Sequence, residues 1–365
     1  MAGDMIIGID ASKAAIKNRT GVENFVYELI LNLPKVDKDH IFFLYTDQKL
    51  PKVLHTPFNF LQRYRPFPFF WNKIRLPFAL RESMPDVYLQ PAYMIPFSAP
   101  KKSIAIIHDF AWAKFPQSYT CKDRFLQKLT LRNIVKKAQK IICVSKSTKD
   151  DLVSYYPEAK ERIEVVHLAG NSSLKKITHP RDVLGIKEKY FLSVGRLEER
   201  KNTKRIVEAF YKAKETGNLP HKLVLAGKPG FGYDSILGAI SQNERYKKDV
   251  VVPGYVKEQD INDLFSGAEA LLYPSIYEGF GITALDAMKS GTPVITSDSS
   301  SLPEVVGNAA ILVDPLDISQ IAAKMVQIAG NKKLREELID KGLRQAEKFS
   351  WPKTAREIIE LLEKL

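Results

Sequence analysis

Tyr273-Pro274-Ser275-Ile276-Tyr277-Glu278-Gly279-Phe280-Gly281-Ile282-Thr283-Ala284-Leu285-Asp286-Ala287-Met288 decides the reading of this chain. The apolar run at 270–273 reads as a buried strand ending on Tyr273, and a helix is expected to begin near Gly281. Between them lies a turn whose glycines, Gly279 and Gly281, let the backbone approach a ligand closely. A helix that starts there points the free N–H groups of Phe280, Gly281, Ile282 and Thr283 at whatever sits above the turn. A phosphate suits that place, because a helix N-terminus supplies both donors and partial positive charge. Glu278 and Asp286 flank the amides with carboxylates for hydroxyl groups. A Gly-x-Gly turn by itself does not decide on a ligand.

Outward from this stretch the same strand–helix alternation recurs. Strands are expected at 190–194, 223–226, 250–252 and 293–296, with a helix at 203–214. After the strand at 190–194 comes Ser193-Val194-Gly195-Arg196-Leu197-Glu198-Glu199-Arg200-Lys201-Asn202. Arg196 and Lys201 lie five apart across a turn, a spacing that lets both cations converge on one phosphate. With the amide cradle they describe a diphosphate site. The first half alternates too, with strands expected at 5–10, 41–45, 87–89, 104–107 and 141–144. After a loop at 11–21, Val22, Phe25, Val26, Leu29, Ile30 and Leu33 recur at helical spacing, and Pro34 is expected to stop that helix. Apolar rather than alternating strands argue for parallel sheets covered on both faces. Two such units, dividing near 170–185, place ligands at the carboxyl ends of the strands, and a cleft between the sheets is the expected site. A last helix at 352–365 shows one apolar face, with Ala355, Ile358, Ile359 and Leu362.

The segments Gly195-Arg196…Lys201-Asn202 and Glu278-Gly279-Phe280-Gly281…Asp286-Ala287-Met288 resemble the retaining GT-B glycosyltransferases of family 4, group 1. So do Pro253-Gly254-Tyr255-Val256, Ser290-Gly291-Thr292-Pro293-Val294 and Phe349-Ser350-Trp351. Arg19-Thr20-Gly21-Val22 and Ile107-His108-Asp109 extend the likeness to the first half, toward a mannosyltransferase-like subgroup. The resemblance implies two Rossmann-like, doubly wound parallel-sheet domains facing a cleft. The first, at 1–175, would bind the acceptor and the second, at 176–348, the nucleotide sugar; a helix at 349–365 would cross back to the first. It also implies that Arg196 and Lys201 hold the donor diphosphate and stabilise the charge that grows on the leaving group. The amides of Phe280, Gly281, Ile282 and Thr283, with Gly279 in the turn, would share that load. Glu278 would orient the sugar hydroxyls, Asp286 hold the ribose, and Tyr255 and Val256 border the base. Gly21 would close over the phosphates beside Gly195. His108 would face the reacting sugar, its tautomer fixed by Asp109. Where the family's E-x7-E has a second Glu, this chain has Asp286, one methylene shorter. Transfer would retain configuration by front-face attack without a protein nucleophile, the departing phosphate taking the acceptor proton. GDP-mannose is the donor the subgroup suggests; UDP-glucose, UDP-galactose and UDP-GlcNAc stay open. On this reading Glu278→Ala or Lys201→Ala abolishes transfer and leaves folding intact.

Charge divides unevenly. Residues 1–180 carry 28 Lys+Arg against 16 Asp+Glu, and the remainder 27 against 26, within a total of +13. The basic half is expected to face something anionic. Lys122, Arg124, Lys128, Arg132, Lys136, Lys137 and Lys140 crowd 121–140 with one acid, Asp123, beside Phe125, Leu126, Leu129, Ile134 and Val135. That pattern reads as a basic amphipathic helix for an anionic membrane surface. Arg63, Arg65, Lys73, Arg75 and Arg81 surround Phe67-Pro68-Phe69-Phe70-Trp71, a run suited to insertion at an interface. A glycan or lipid-linked acceptor is therefore expected, on a cytoplasmic protein peripheral to the membrane's cytoplasmic face. No apolar run approaches the ~20 residues of a membrane span, and residues 1–5 lack a signal-peptide layout. Cys121 and Cys143 read as free thiols. The charge alone also suits a nucleic-acid-binding protein, but no nucleic-acid motif accompanies it, and no such partner is expected. A dinucleotide oxidoreductase would show G-x-G-x-x-G after the first strand, which instead runs into Gly8-Ile9-Asp10-Ala11-Ser12-Lys13. Asp37-Lys38-Asp39 is a D-x-D, but it precedes a strand beside His40 and reads as a solvated loop. Neither metal nor cofactor is called for.

Overall fold

The computed structural model describes residues 5–17, 19, 21–54, 59–66, 70–92 and 94–365. Thr20 and Phe67-Pro68-Phe69 of the quoted motifs, and residues 1–4, lie outside them. The chain divides into two compact units, one of residues 1–168 with 350–365 and one of residues 169–349. The sequence reading set these divisions at 175 and 348.

The first unit carries a seven-stranded sheet in the order β3-β2-β1-β4-β5-β6-β7. Its strands are β1 (Ile6–Asp10), β2 (Ile41–Thr46), β3 (Phe60–Tyr64), β4 (Val87–Gln90), β5 (Ser103–Ile107), β6 (Lys140–Cys143) and β7 (Ile163–Val165). The second carries six in the order β10-β9-β8-β11-β12-β13. They are β8 (Tyr190–Val194), β9 (Lys222–Ala226), β10 (Val250–Gly254), β11 (Ala270–Tyr273), β12 (Val294–Ser297) and β13 (Ile311–Val313). Every pairing is parallel. The central strands are apolar because helices cover both faces; Ile7, Ile9, Leu192, Val224 and Leu271 are wholly buried. In each sheet the order reverses beside the first strand, between β1 and β4 and between β8 and β11, and ligands of such folds bind at that place.

Three expectations change. Pro34 does not stop the first helix, which spans Gly21–Val36. In its last turn the proline removes only one bond, that to the Ile30 carbonyl, and Asp37 still donates to Leu33 at 3.0 Å. Gly21 is accordingly the first helical residue, not part of a loop. Nor is the Asp37–His40 turn solvated throughout: Lys38 and Asp39 are exposed, but Asp37 and His40 are buried. Asp37 Oδ1 accepts from the amides of Asp39 and His40, and its Oδ2 lies 2.5 Å from His40 Nδ1. Its carboxylate closes a turn and faces no solvent. The expected basic helix forms over Cys121–Lys137. Leu131, Ile134 and Val135 pack inward near its end, while its first two turns stand clear, with Phe125 62% exposed.

The helix Trp351–Glu363 packs on the helix Gly21–Val36, burying Trp351, Ala355, Ile358, Ile359 and Leu362. Ser350 caps it, accepting from the Lys353 amide, and the Thr354 hydroxyl donates to the His167 carbonyl at 2.7 Å.

In the second unit His221 is buried against Phe191, ring centroids 5.0 Å apart, and neither of its nitrogens has a partner. Burial pushes its pKa down; Glu269 opposes this, and Lys189, Lys214 and Arg335 reinforce it. The folded state thus binds fewer protons here than the unfolded state, so stability falls as pH drops below about 6.5. His221→Leu is expected to flatten that fall. The gap between wild type and variant should change by up to about 1.4 kcal/mol per pH unit, the limit for one proton. Urea titrations at pH 5.5 and 7.5 measure it, and parallel pH profiles would refute the assignment.

Candidate functional site

At the switch point of the second sheet, the turns after β8 and β11 meet around one buried carboxylate. Glu278 Oε1 lies 2.5 Å from Lys201 Nζ, and Oε2 lies 3.2 Å from Arg200 Nη1. Lys201 also donates to the Tyr273 hydroxyl at 2.9 Å, at the end of β11. Arg200 reaches the Tyr277 carbonyl at 3.0 Å and Glu198 at 2.8 Å. Burial would raise the Glu278 carboxyl, but the Lys201 and Arg200 charges outweigh it and hold its pKa at about 2. Burial likewise opposes the Lys201 charge, and Glu278 overcomes it and raises the ammonium's pKa. The cluster is a charged pair and its neighbour arginine, with little water around them.

The surrounding turns are fixed by small residues. Ser301 Oγ donates to the carbonyls of Glu278 and Phe280 at 2.9 and 2.7 Å, and the Glu278 amide donates to Ser300 Oγ. Gly281 caps the helix Ile282–Lys289 with φ of 114°, a conformation that favours glycine. The first amides of that helix, at Ile282 and Thr283, have no acceptor within it. Phe280 is buried against Phe349, and Gly279 sits in the turn beside it. Gly195 leaves β8 with its amide bound to the Ala226 carbonyl. A Cβ on Gly227 would lie 1.7 Å from the Gly195 oxygen, so only glycine fits there.

Of the two cations read from spacing, only Lys201 joins Glu278; the second is Arg200. Arg196 is exposed, its stem passing over Gly230, where an added Cβ would meet it at 2.6 Å. Adjacency to Lys201 was the sequence signal for Arg200, and at the end of a strand Tyr273 had none. Asp286 Oδ1 accepts from the Asn171 amide at 2.7 Å, fastening the start of the second unit to this helix. Tyr255 is exposed, with Lys228 Nζ 5.1 Å from its ring centre, and Val256 follows it, half-buried.

In the first unit, His108 follows β5. Its Nε2 lies 2.8 Å from the Pro91 carbonyl, which only accepts, so Nε2 carries the proton and Nδ1 presents a lone pair. Asp109 does not fix this tautomer, as its carboxylate accepts from the Ala111 amide at 2.9 Å instead. Burial lowers the His108 pKa, opposed by the Pro91 carbonyl, Asp109 and Glu23, which favours the neutral ring. Phe25 packs edge-on against it at 5.0 Å, and Trp351 lies 5.9 Å from Phe25. Among the described residues, no group of three His, Cys, Asp or Glu side chains is placed to hold a metal. None of the described helices is long and apolar enough to cross a membrane.

Comparison with known proteins agrees with this architecture. Residues 176–345 match the model of glycosyl transferases group 1, and residues 19–169 that of glycosyltransferase family 4. The chain is 30% identical to O-antigen chain mannosyltransferase B of Escherichia coli over 76% of its own length and 74% of that protein's. It is 24% identical to the serotype-specific mannosyltransferase WbdA of the same species, over 72% of this chain but only 33% of that longer protein. Sucrose-phosphate synthase from Thermosynechococcus elongatus shares the fold with a TM-score of 0.75 at 18% identity, covering 99% of this chain and 98% of that one. The expected fold class, paired Rossmann-like domains of GT-B type, is the one found. With both halves matched in order, the chain is an enzyme of the glycosyltransferases of group 1, family 4.

Proposed function

We propose that the chain transfers a mannosyl group from GDP-mannose, with retention, to a hydroxyl of a glycan or lipid-linked acceptor. The observation that carries this is the Lys201–Glu278–Arg200 cluster beside the free amides of the helix Ile282–Lys289. The diphosphate competes with Glu278 for Lys201, and Arg196, exposed on the same turn, adds a second cation. Glu278, relieved of part of its pairing, accepts from the sugar hydroxyls. As the bond from the anomeric carbon to the diphosphate breaks, these cations and the amides of Phe280, Gly281, Ile282 and Thr283 take up the charge. The acceptor oxygen bonds to the same carbon, and its proton passes to the departing phosphate. Neutral His108 offers Nδ1 to a donor-sugar hydroxyl. Asp286, Tyr255 and Val256 remain the residues assigned to the nucleoside, with Gly21 and Gly195 on the phosphate side. Since protein cations neutralise the diphosphate, the reaction on this reading needs neither metal nor cofactor. The resemblance to mannosyltransferases supports the choice of sugar, and the basic first half supports attachment to an anionic membrane, with no nucleic-acid partner.

Thermal unfolding against GDP, UDP, ADP and their sugar conjugates tests the donor. A ligand that binds only the folded protein raises its stability by about 2.7 kcal/mol at a hundredfold excess over Kd. A shift with GDP-mannose and none with UDP-sugars is expected. A shift with a UDP-sugar alone would replace mannose by the UDP-linked alternatives, and no shift with any would overturn the donor site.

A further inference from the structure

Ser301 sits where a serine ordinarily serves its own helix. It holds the N-cap place of the helix Leu302–Val306, at which a hydroxyl accepts from an amide of the first turn. It makes no such bond. Instead the wholly buried side chain donates across to the carbonyls of Glu278 at 2.9 Å and Phe280 at 2.7 Å. A hydroxyl has one proton, so the two carbonyls share it.

A planar trans peptide places its N–H and C=O on opposite sides of the chain. The Glu278 carbonyl shares a peptide with the Gly279 amide, and the Phe280 carbonyl shares one with the Gly281 amide. Drawing both oxygens to one hydroxyl therefore turns both N–H groups to the side away from Ser301. Neither peptide can rotate without losing its share of the bond. Neighbouring residues close off other settings of the turn. The amide of Glu278 donates to Ser300 Oγ at 3.1 Å, and Ser300 takes a left-handed φ of 53°. Leu302 packs against Gly281, where an added Cβ would lie 2.7 Å from its Cδ2. Ser297 Oγ donates to the Ser275 carbonyl at 2.7 Å, fixing the start of the turn. One segment, 297–302, thus dictates the backbone that carries Glu278.

We propose, resting on the donor reading above, that Ser301 is a positioning residue for transfer: it aims the Gly279 and Gly281 amides at the departing phosphate. When the bond from the anomeric carbon breaks, its electron pair stays on the phosphate oxygen, and the distal phosphate gains one negative charge. Amides set in advance for that charge hold the free nucleoside diphosphate more strongly than its sugar conjugate. Losing their aim therefore weakens the free diphosphate more than the conjugate. A serine that only held the fold together would weaken both alike, or neither.

Calorimetric titration of Ser301→Ala with GDP and GDP-mannose, and with UDP and UDP-glucose, tests this at about pH 8, where a terminal phosphate is fully ionised. The pair that binds wild type supplies the comparison. Affinity for the diphosphate is expected to fall at least about tenfold, and that for the sugar conjugate less than about threefold. Ser301→Cys keeps a weaker donor and should lie between, with the diphosphate still the more affected; it carries the comparison if the alanine variant does not fold. Thr292→Val is the control, ahead of β12. Thr292 is also buried, and its hydroxyl donates to the Phe265 carbonyl at 2.6 Å. This variant should lose stability and keep both affinities. Equal weakening of the two ligands by the Ser301 variants, or no weakening of either, overturns the role of Ser301 and leaves the donor site standing. Wild type that binds neither pair overturns the donor reading, and the proposal with it.

Discussion

Lys201→Ala is expected to lower kcat/KM by at least two to three orders of magnitude and to cost the second unit about 3–5 kcal/mol of stability. The first effect follows from removing the cation that meets the departing diphosphate. The second follows from burial: Glu278 keeps Arg200 but loses the nearer of its two cations, in a place where its charge has little water to fall back on. Sequence reasoning expected such a variant to fold normally, and the buried pairing is why that expectation changes. Glu278→Ala should behave alike, stranding Lys201 and Arg200. Because the paired carboxyl is held at about 2, below its unfolded value, its contribution is complete above pH 4.5 and fades as pH falls from there toward 2. Steady-state kinetics and urea unfolding check both arms. Wild-type turnover in either variant would remove the cluster from the site, and unchanged stability would contradict the buried pair.

Trp351→Ala should cost about 3–5 kcal/mol, the range for emptying a large aromatic site in a core. Trp351 is only 2% exposed and packs on Phe25, whose other edge meets His108. The cavity therefore opens one ring away from a residue assigned to the donor sugar. A fall in kcat larger than the change in KM is the expected kinetic mark, from looser positioning of His108. Trp351→Phe should recover most of both losses. Thermal unfolding with kinetics at saturating donor measures the two together, and a variant with unaltered kcat would separate Trp351 from the site.

The central strands were legible because burial on both faces leaves unbroken apolar runs, as at Ile7 and Ile9 or Leu271 and Leu272. The edges were not. β3 points four of its five residues outward, and β7 and β13 have three residues each, too few to show a period. Pro34 misled because a proline's effect depends on how much helix follows it. Lys201 and Glu278 were read from their motifs, yet their contact spans 77 residues and only the fold brings it about. Arg200 was not read as a partner of Glu278, because spacing counts residues and cannot tell which way a turn sends them. Asp37 and His40, both buried, looked solvated for the same reason: charge in a sequence does not reveal what lies across from it.

The helix Trp351–Glu363 finishes a unit whose other residues precede it by a whole domain. During synthesis, the apolar side of the helix Gly21–Val36 emerges from the ribosome with nothing to cover it. At about 5–20 residues per second, the roughly 310 residues between the two helices arrive over some 15–60 s. The first unit must wait, its exposed flank open to chaperones or to other nascent chains, while the second unit can complete its fold as it emerges. Order of maturation in this enzyme should therefore run opposite to order of translation.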